Sequence, residues 1–120
     1  MHVLLVDDSK IMRQLLIRAI KKVDYVDLHV SEASNGIEGI AQFNQNRPDL
    51  ILSDWNMPEM DGMGFLQAIR SEDPNIPFGF ITAQSTAALR ESAQHYGAHF
   101  LLTKPFTPDT LKAAIQSVIV

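Results

Sequence analysis

The residues best equipped for chemistry are three carboxylates, a hydroxyl and an ammonium: Asp7, Asp8, Asp54, Thr82 and Lys104. Each follows a short apolar run by one or two residues. An all-oxygen cluster of acids suits a hard cation, and Mg2+ is the available one that binds phosphate beside one or two carboxylates. Lys104 adds a second positive charge on the far side of the cluster. Metal, lysine and hydroxyl around a carboxylate are the groups that stabilise a phosphoryl group in transfer. The carboxylate itself can be the nucleophile, with an aspartyl phosphate as product. Taken singly, each residue has a plainer role. Asp7 and Asp8 can cap a helix, Asp54 can make a turn, Thr82 can cap the fourth helix, and Lys104 can be a solvated loop lysine. What outweighs the plainer roles is that all of these positions are strand ends.

The elements that must position them are legible as five short apolar runs: Val3–Val6, Leu28–Val30, Leu50–Leu52, Phe78–Ile81 and Phe100–Leu102. Continuous runs rather than strict alternation fit parallel strands covered on both faces. Helical spacing lies between them. Met12, Leu15, Leu16, Ala19, Ile20 and Val23 form a broad apolar face; Ile37, Ile40 and Ala41 mark a second helix, and Phe65, Leu66 and Ile69 a third. The fourth offers chiefly Leu89 and alanines, with Gly97 as its stop. Thr107 caps the fifth, Pro108 opens it, and Leu111, Ala114, Ile115, Val118 and Ile119 follow. Five strands alternating with five helices predict an α/β doubly wound fold on a parallel sheet.

In such sheets ligands bind beyond the carboxyl ends of the strands, where strand order reverses. In the order 2-1-3-4-5 the first and third strands are neighbours about 4.8 Å apart, and their terminal acids share a pocket. Two carboxylates about 5 Å apart repel by roughly 3 kcal/mol at an effective dielectric of 20. Three of them demand a cation or a shifted pKa.

The 120 residues make one domain, 46% apolar and 20% charged, which is ordinary globular composition. The pattern runs to the last residues, leaving no room for an output domain within this sequence; the expected unit is one domain over 1–120. There are no cysteines, so no disulfide framework and no thiolate metal site, as suits a reducing cytoplasm. No signal peptide or membrane span is legible. A formal charge of −4 with no basic stripe argues against direct nucleic-acid binding.

With these residues in view, the chain resembles the receiver domains of two-component response regulators, single-domain chemotaxis receivers above all. The likeness covers essentially the whole chain. It rests on Val6-Asp7-Asp8-Ser9, on Asp54-Trp55-Asn56-Met57-Pro58-Glu59-Met60-Asp61-Gly62, on Thr82-Ala83, on Gly97-Ala98 and on Lys104-Pro105-Phe106, in that order and spacing. The resemblance implies a flavodoxin-like sheet of order 2-1-3-4-5. It implies that Asp54 accepts a phosphoryl group from a histidine kinase or phosphotransfer protein. Mg2+ would be held by the side chains of Asp8 and Asp54, by the carbonyl of Asn56, and by Asp7 mainly through water. Thr82 and Lys104 would each hold a phosphoryl oxygen, and Lys104–Pro105 would be cis. A downstream protein would meet the face made by the fourth helix, fifth strand and fifth helix.

One position departs from the pattern. Most of the family place Tyr or Phe three residues before the lysine, and Leu101 stands there. Phe100 is adjacent, but one residue along a strand points to the opposite face. The rival chemistry, a haloacid-dehalogenase-type phosphatase, needs a second aspartate two residues beyond the nucleophile as acid and base. Asn56 follows Asp54 at that spacing, and Ser9 follows Asp7. A flavodoxin-like FMN site is opposed by three carboxylates, and a degenerate receiver by intact Asp54, Thr82 and Lys104. Gly62-Met63-Gly64 is not a dinucleotide fingerprint, because Gln67 stands where its third glycine belongs. Met57, Met60 and Met63 read as packing residues. The four histidines, His2, His29, His95 and His99, are scattered without metal-ligand spacing.

Overall fold

The computed structural model describes residues 1–119 apart from 24 and 26. Its first half runs β1 (His2–Val6), α1 (Lys10–Lys21), β2 (His29–Ala33), α2 (Gly36–Gln45) and β3 (Leu50–Ser53). The second half runs α3 (Gly62–Glu72), β4 (Phe78–Thr82), α4 (Ala87–His95), β5 (Phe100–Thr103) and α5 (Pro108–Gln116). All five strands are parallel in the order β2-β1-β3-β4-β5. This is the doubly wound parallel sheet that the alternation implied, in the flavodoxin-like order that the resemblance implied.

The central strands are continuous apolar runs because both of their faces are covered. Val3, Leu5, Leu50, Leu52 and Ile81 meet Leu16, Ala19 and Ile20 of α1 and Leu111 and Ile115 of α5. On the other face, Leu4, Val6, Ile51, Phe78 and Phe80 meet Phe43, Phe65, Leu66 and Ile69 of α2 and α3. Each large side chain removed from water in this way contributes about 1.5–3 kcal/mol. The Met57, Met60 and Met63 side chains pack against this second cluster, as expected.

The edge strand β2 departs from expectation. The apolar run pointed to Leu28–Val30, whereas the strand is His29–Ala33, paired with the whole of β1 from His2↔His29 to Val6↔Ala33. Ser31 and Glu32 lie in it because an edge strand is only partly covered, so polar residues are tolerated and the apolar signal fades. In α2 the apolar face is rotated from the one expected. Ile37 is 53% exposed, while Phe43 is fully buried. Gly36 and Gly39 also turn inward; a Cβ at Gly39 would lie 2.8 Å from the Phe65 ring. The helix comes close to α3 through its glycines, not through a branched side chain.

Helix starts follow local capping. Ser9 accepts the Met12 N–H at 3.2 Å at the head of α1, and Asp61 accepts the Gly64 N–H at 2.8 Å at the head of α3. Neither Asp7 nor Asp8 is the α1 cap. Thr82 does not cap α4 either: it ends β4, and the α4 cap is Thr86, which accepts the Leu89 N–H at 3.2 Å. Thr107 and Pro108 open α5 as expected, and Thr107 and Thr110 satisfy each other's backbone N–H groups reciprocally. Gly97, with φ of 100°, follows the Tyr96 cap of α4 in a conformation that a side chain would strain.

Candidate functional site

Sheet register assembles the site. Val6 lies beside Ser53, and Thr82 beside Thr103, so the residues that follow these strand ends emerge together. The ladder continues one step further on both sides: the Asp54 N–H donates to the Val6 carbonyl at 2.8 Å, and the Lys104 N–H to the Thr82 carbonyl at 2.8 Å. The result is one mouth holding Asp7, Asp8, Asp54, Thr82 and Lys104 at the carboxyl edge of the sheet.

Asp7, Asp8 and Asp54 each present a carboxylate oxygen, and these atoms all lie within 4.8 Å of one another. Lys104 was expected on the far side of the cluster. Instead its ammonium lies between two of the acids, 3.0 Å from Asp7 Oδ2 and 3.1 Å from Asp54 Oδ2. That placement offsets the carboxylate repulsion directly. Burial pushes the Asp7 carboxyl above its ordinary 3.8, although the Ser9 N–H and Lys104 oppose the shift. Burial also works against the Lys104 ammonium, but the hydrogen bonds and charges of Asp7 and Asp54 overcome it and hold the pKa raised. Asp7 therefore keeps its charge less readily than an exposed acid, while Lys104 keeps its charge firmly.

The three acids differ in setting. Asp7 is 1% exposed, with Oδ1 held by the Ser9 N–H at 2.9 Å. Asp8 is exposed, and Asp54 is partly so, its Oδ1 held by the Trp55 N–H at 2.7 Å. Thr82 is 1% exposed and its hydroxyl accepts the Gln84 N–H at 3.3 Å. Asn56, two residues beyond Asp54 in the segment leading to α3, is exposed. The Lys104–Pro105 bond is cis.

The family model for the response regulator receiver domain matches residues 3–116. The chain belongs to the response regulator receiver family. Receivers of this family are the phosphoacceptor signalling domains of two-component systems, and this chain is one of them. It is 40% identical over 119 residues to a probable chemotaxis protein CheY of Rhizobium etli, covering 97% of this chain and 90% of that one. It is 34% identical over 122 residues to the chemotaxis protein CheY1 of Helicobacter pylori, covering 99% and 97%. The crystallised chemotaxis protein CheY4 of Vibrio cholerae superposes with a TM-score of 0.89 at 33% identity, covering 98% of each chain.

Two supports of this receiver's site were not read from the sequence. Gly62 donates its N–H to the Trp55 carbonyl at 2.7 Å, and a Cβ on it would stand 2.3 Å from the Asp54 carbonyl oxygen. Only glycine lets α3 begin that close to the Asp54 loop. Arg13 donates to the Asp7 carbonyl and pairs with Glu32 of β2 at 3.0 Å, fixing the first loop from the α1 side. A glycine eight residues beyond Asp54 was the available signal for the first. The histidines, read as scattered, include one spatial pair: the His2 and His29 rings lie 5.0 Å apart on neighbouring strands. Among the described residues the only cluster of three or more metal-ligating acids or histidines is Asp7, Asp8 and Asp54.

Proposed function

We propose that Asp54 is the residue of this receiver that takes the phosphoryl group, from a phosphohistidine on a histidine kinase or phosphotransfer protein. One observation carries the assignment: the Lys104 ammonium bridges Asp54 and Asp7 within a pocket where three carboxylate oxygens converge. An Asp54 oxygen attacks phosphorus, the phosphorus–nitrogen bond of the donor breaks, and an acyl phosphate forms. Lys104 then pairs with one phosphoryl oxygen and the Thr82 hydroxyl turns to another.

The donor set fits Mg2+: it is all oxygen, anionic, and close enough to need a cation. Asp8 and Asp54 would hold the ion by side chain, Asn56 by its carbonyl, and Asp7 through water. When bound, the ion neutralises charge that the carboxylates and the phosphoryl group would otherwise set against each other. Asn56 cannot act as a base two residues beyond Asp54, so hydrolysis is slow, which suits a signal and not a turnover phosphatase. Similarity to chemotaxis proteins supports a cytoplasmic receiver of that signalling type, passing its state to a protein partner at the α4–β5–α5 face. Among the described residues no helix is long and apolar enough to cross a membrane.

Incubation with acetyl phosphate and Mg2+ should give a single hydroxylamine-labile phosphate by intact mass. Asp54→Asn should lose it, and a label that persisted there would reassign the nucleophile. Common phosphomonoesters should release phosphate no faster than background.

A further inference from the structure

The output side of this receiver lacks the parts the family resemblance led one to expect, and a different residue spans the gap. Helix α4 buries only Ala93. Between it and β5 lies a cleft of about 400 Å3, lined by Arg90, Ala93, Gln94, Ala98, His99, Phe100 and Leu101. Leu101 is too small to fill it. Phe100 borders the cleft but its ring does not fill it: the ring lies over Gly79, where a Cβ would come within 2.2 Å of it, and packs on the α1–α5 side of the sheet. Arg90 crosses the cleft instead. Its guanidinium donates to the Leu101 carbonyl at 3.2 Å and to the Thr103 hydroxyl at 3.0 Å.

We propose that Arg90 is a latch, a positioning residue that pins α4 to β5 in the unphosphorylated receiver and is released when the pocket captures Thr82. The inference rests on the phosphoacceptor reading above. Thr82 lies beside Thr103 in the sheet, and its hydroxyl holds the Gln84 N–H. Turning that hydroxyl to a phosphoryl oxygen frees Gln84 and the short loop up to the α4 cap, Thr86. Arg90 sits one turn inside that cap. A planar guanidinium that bridges the Leu101 carbonyl and the Thr103 hydroxyl ties α4 to β5 at two points, so a shift of α4 beyond the reach of the side chain breaks both bonds. By reciprocity, whatever holds the latched form opposes occupancy of the pocket by the same factor.

The test titrates Mg2+ and then beryllofluoride, a phosphoryl mimic, into the parent chain, Arg90→Ala, Arg90→Lys and Thr103→Val. Trp55 emission reports pocket occupancy, while α4 amide and Arg90 guanidinium NMR signals report the latch. In the parent, the guanidinium signals should pass from hydrogen-bonded to solvent-like as Trp55 responds. Arg90→Ala should reach half-saturation at about fivefold lower beryllofluoride, a typical coupling factor. Its α4 amides should already lie toward the bound positions. Arg90→Lys, a point charge unable to fork, and Thr103→Val should shift the same way. Unchanged half-saturation in Arg90→Ala, or guanidinium signals indifferent to beryllofluoride, would overturn the latch alone. A parent chain whose Trp55 ignores beryllofluoride would overturn the phosphoacceptor reading and the latch with it.

Discussion

Asp7 and Asp8 are neighbours in sequence and opposites in setting. Asp7 is buried and already engaged by the Ser9 N–H and Lys104, so removing it would leave a partly buried ammonium short of one of its two partners. Asp8 is exposed, and its carboxylate can turn to a cation without breaking the pocket. Asp8→Ala should therefore weaken the Mg2+ response of Trp55 by at least about tenfold, while stability without Mg2+ holds or rises, because a carboxylate that repels Asp7 and Asp54 is gone. A Mg2+ titration unchanged in that variant would remove Asp8 from the metal shell. The acids, the lysine and the threonine were legible because charged and polar residues behind apolar runs are conspicuous. Gly62 stood in the family motif, but its role was not legible, because its contribution is the absence of a side chain, visible only once the Asp54 carbonyl stands where a Cβ would go. The bridging position of Lys104 was equally hidden, since side-chain direction at the end of β5 is set by the sheet and not by spacing.

At the scale of elements, α4 is the weakly held member. It starts five residues beyond Thr82, so a pull on that hydroxyl reaches the helix through a connecting loop and not through its first turn. Few buried apolar contacts and exposed hydrogen bonds are the marks of a segment that opens easily. Leu101, half-buried on the α4 side of the sheet, is expected to be passive in that motion. Leu101→Ala should cost about 2 kcal/mol by denaturant unfolding, the low end for a core leucine. It should leave the beryllofluoride-induced amide shifts over 83–95 largely intact, whereas Thr82→Ala should suppress them. The reverse pattern would make residue 101 the switch. Element type was legible throughout, and the central strands to within a residue, because coverage on both faces writes a continuous apolar run. Strand β2 and the inner face of α2 were misjudged for opposite reasons. An edge strand keeps polar residues such as Glu32, and a helix packed closely on its neighbour presents Gly36 and Gly39 where an isoleucine was expected.

For the whole molecule, alternation gave the doubly wound parallel fold, while the strand order, and with it the meeting of Asp7 and Asp54 at adjacent strand ends, came from the family resemblance. Less legible was how the β4–β5 edge is closed at its far end. There the Phe78 N–H donates to His99 Nδ1 at 3.1 Å, while the His99 N–H donates to the Phe78 carbonyl at 2.7 Å. Burial, and then the charge of Arg70, lower the His99 pKa below its ordinary 6.5. An imidazolium has no lone pair for the Phe78 N–H, so the folded chain favours the neutral ring. Because the unfolded chain then binds the proton more tightly, stability is full above pH 6.5 and is lost as pH falls through the folded pKa. Urea unfolding at pH 8 and pH 5.5 should show that decline, and His99→Gln should flatten this part of it. Across the sheet, α5 is fixed as firmly as α4 is not: its first turn is locked by the Thr107–Thr110 exchange, and Leu111 and Ile115 are fully buried. The two helices flanking β5 thus form the jaws of a caliper, one a fixed datum and the other free to travel. A partner that grips both would read the state of Asp54 as a gauge reads a width, by fit or misfit, without ever touching the phosphoryl group.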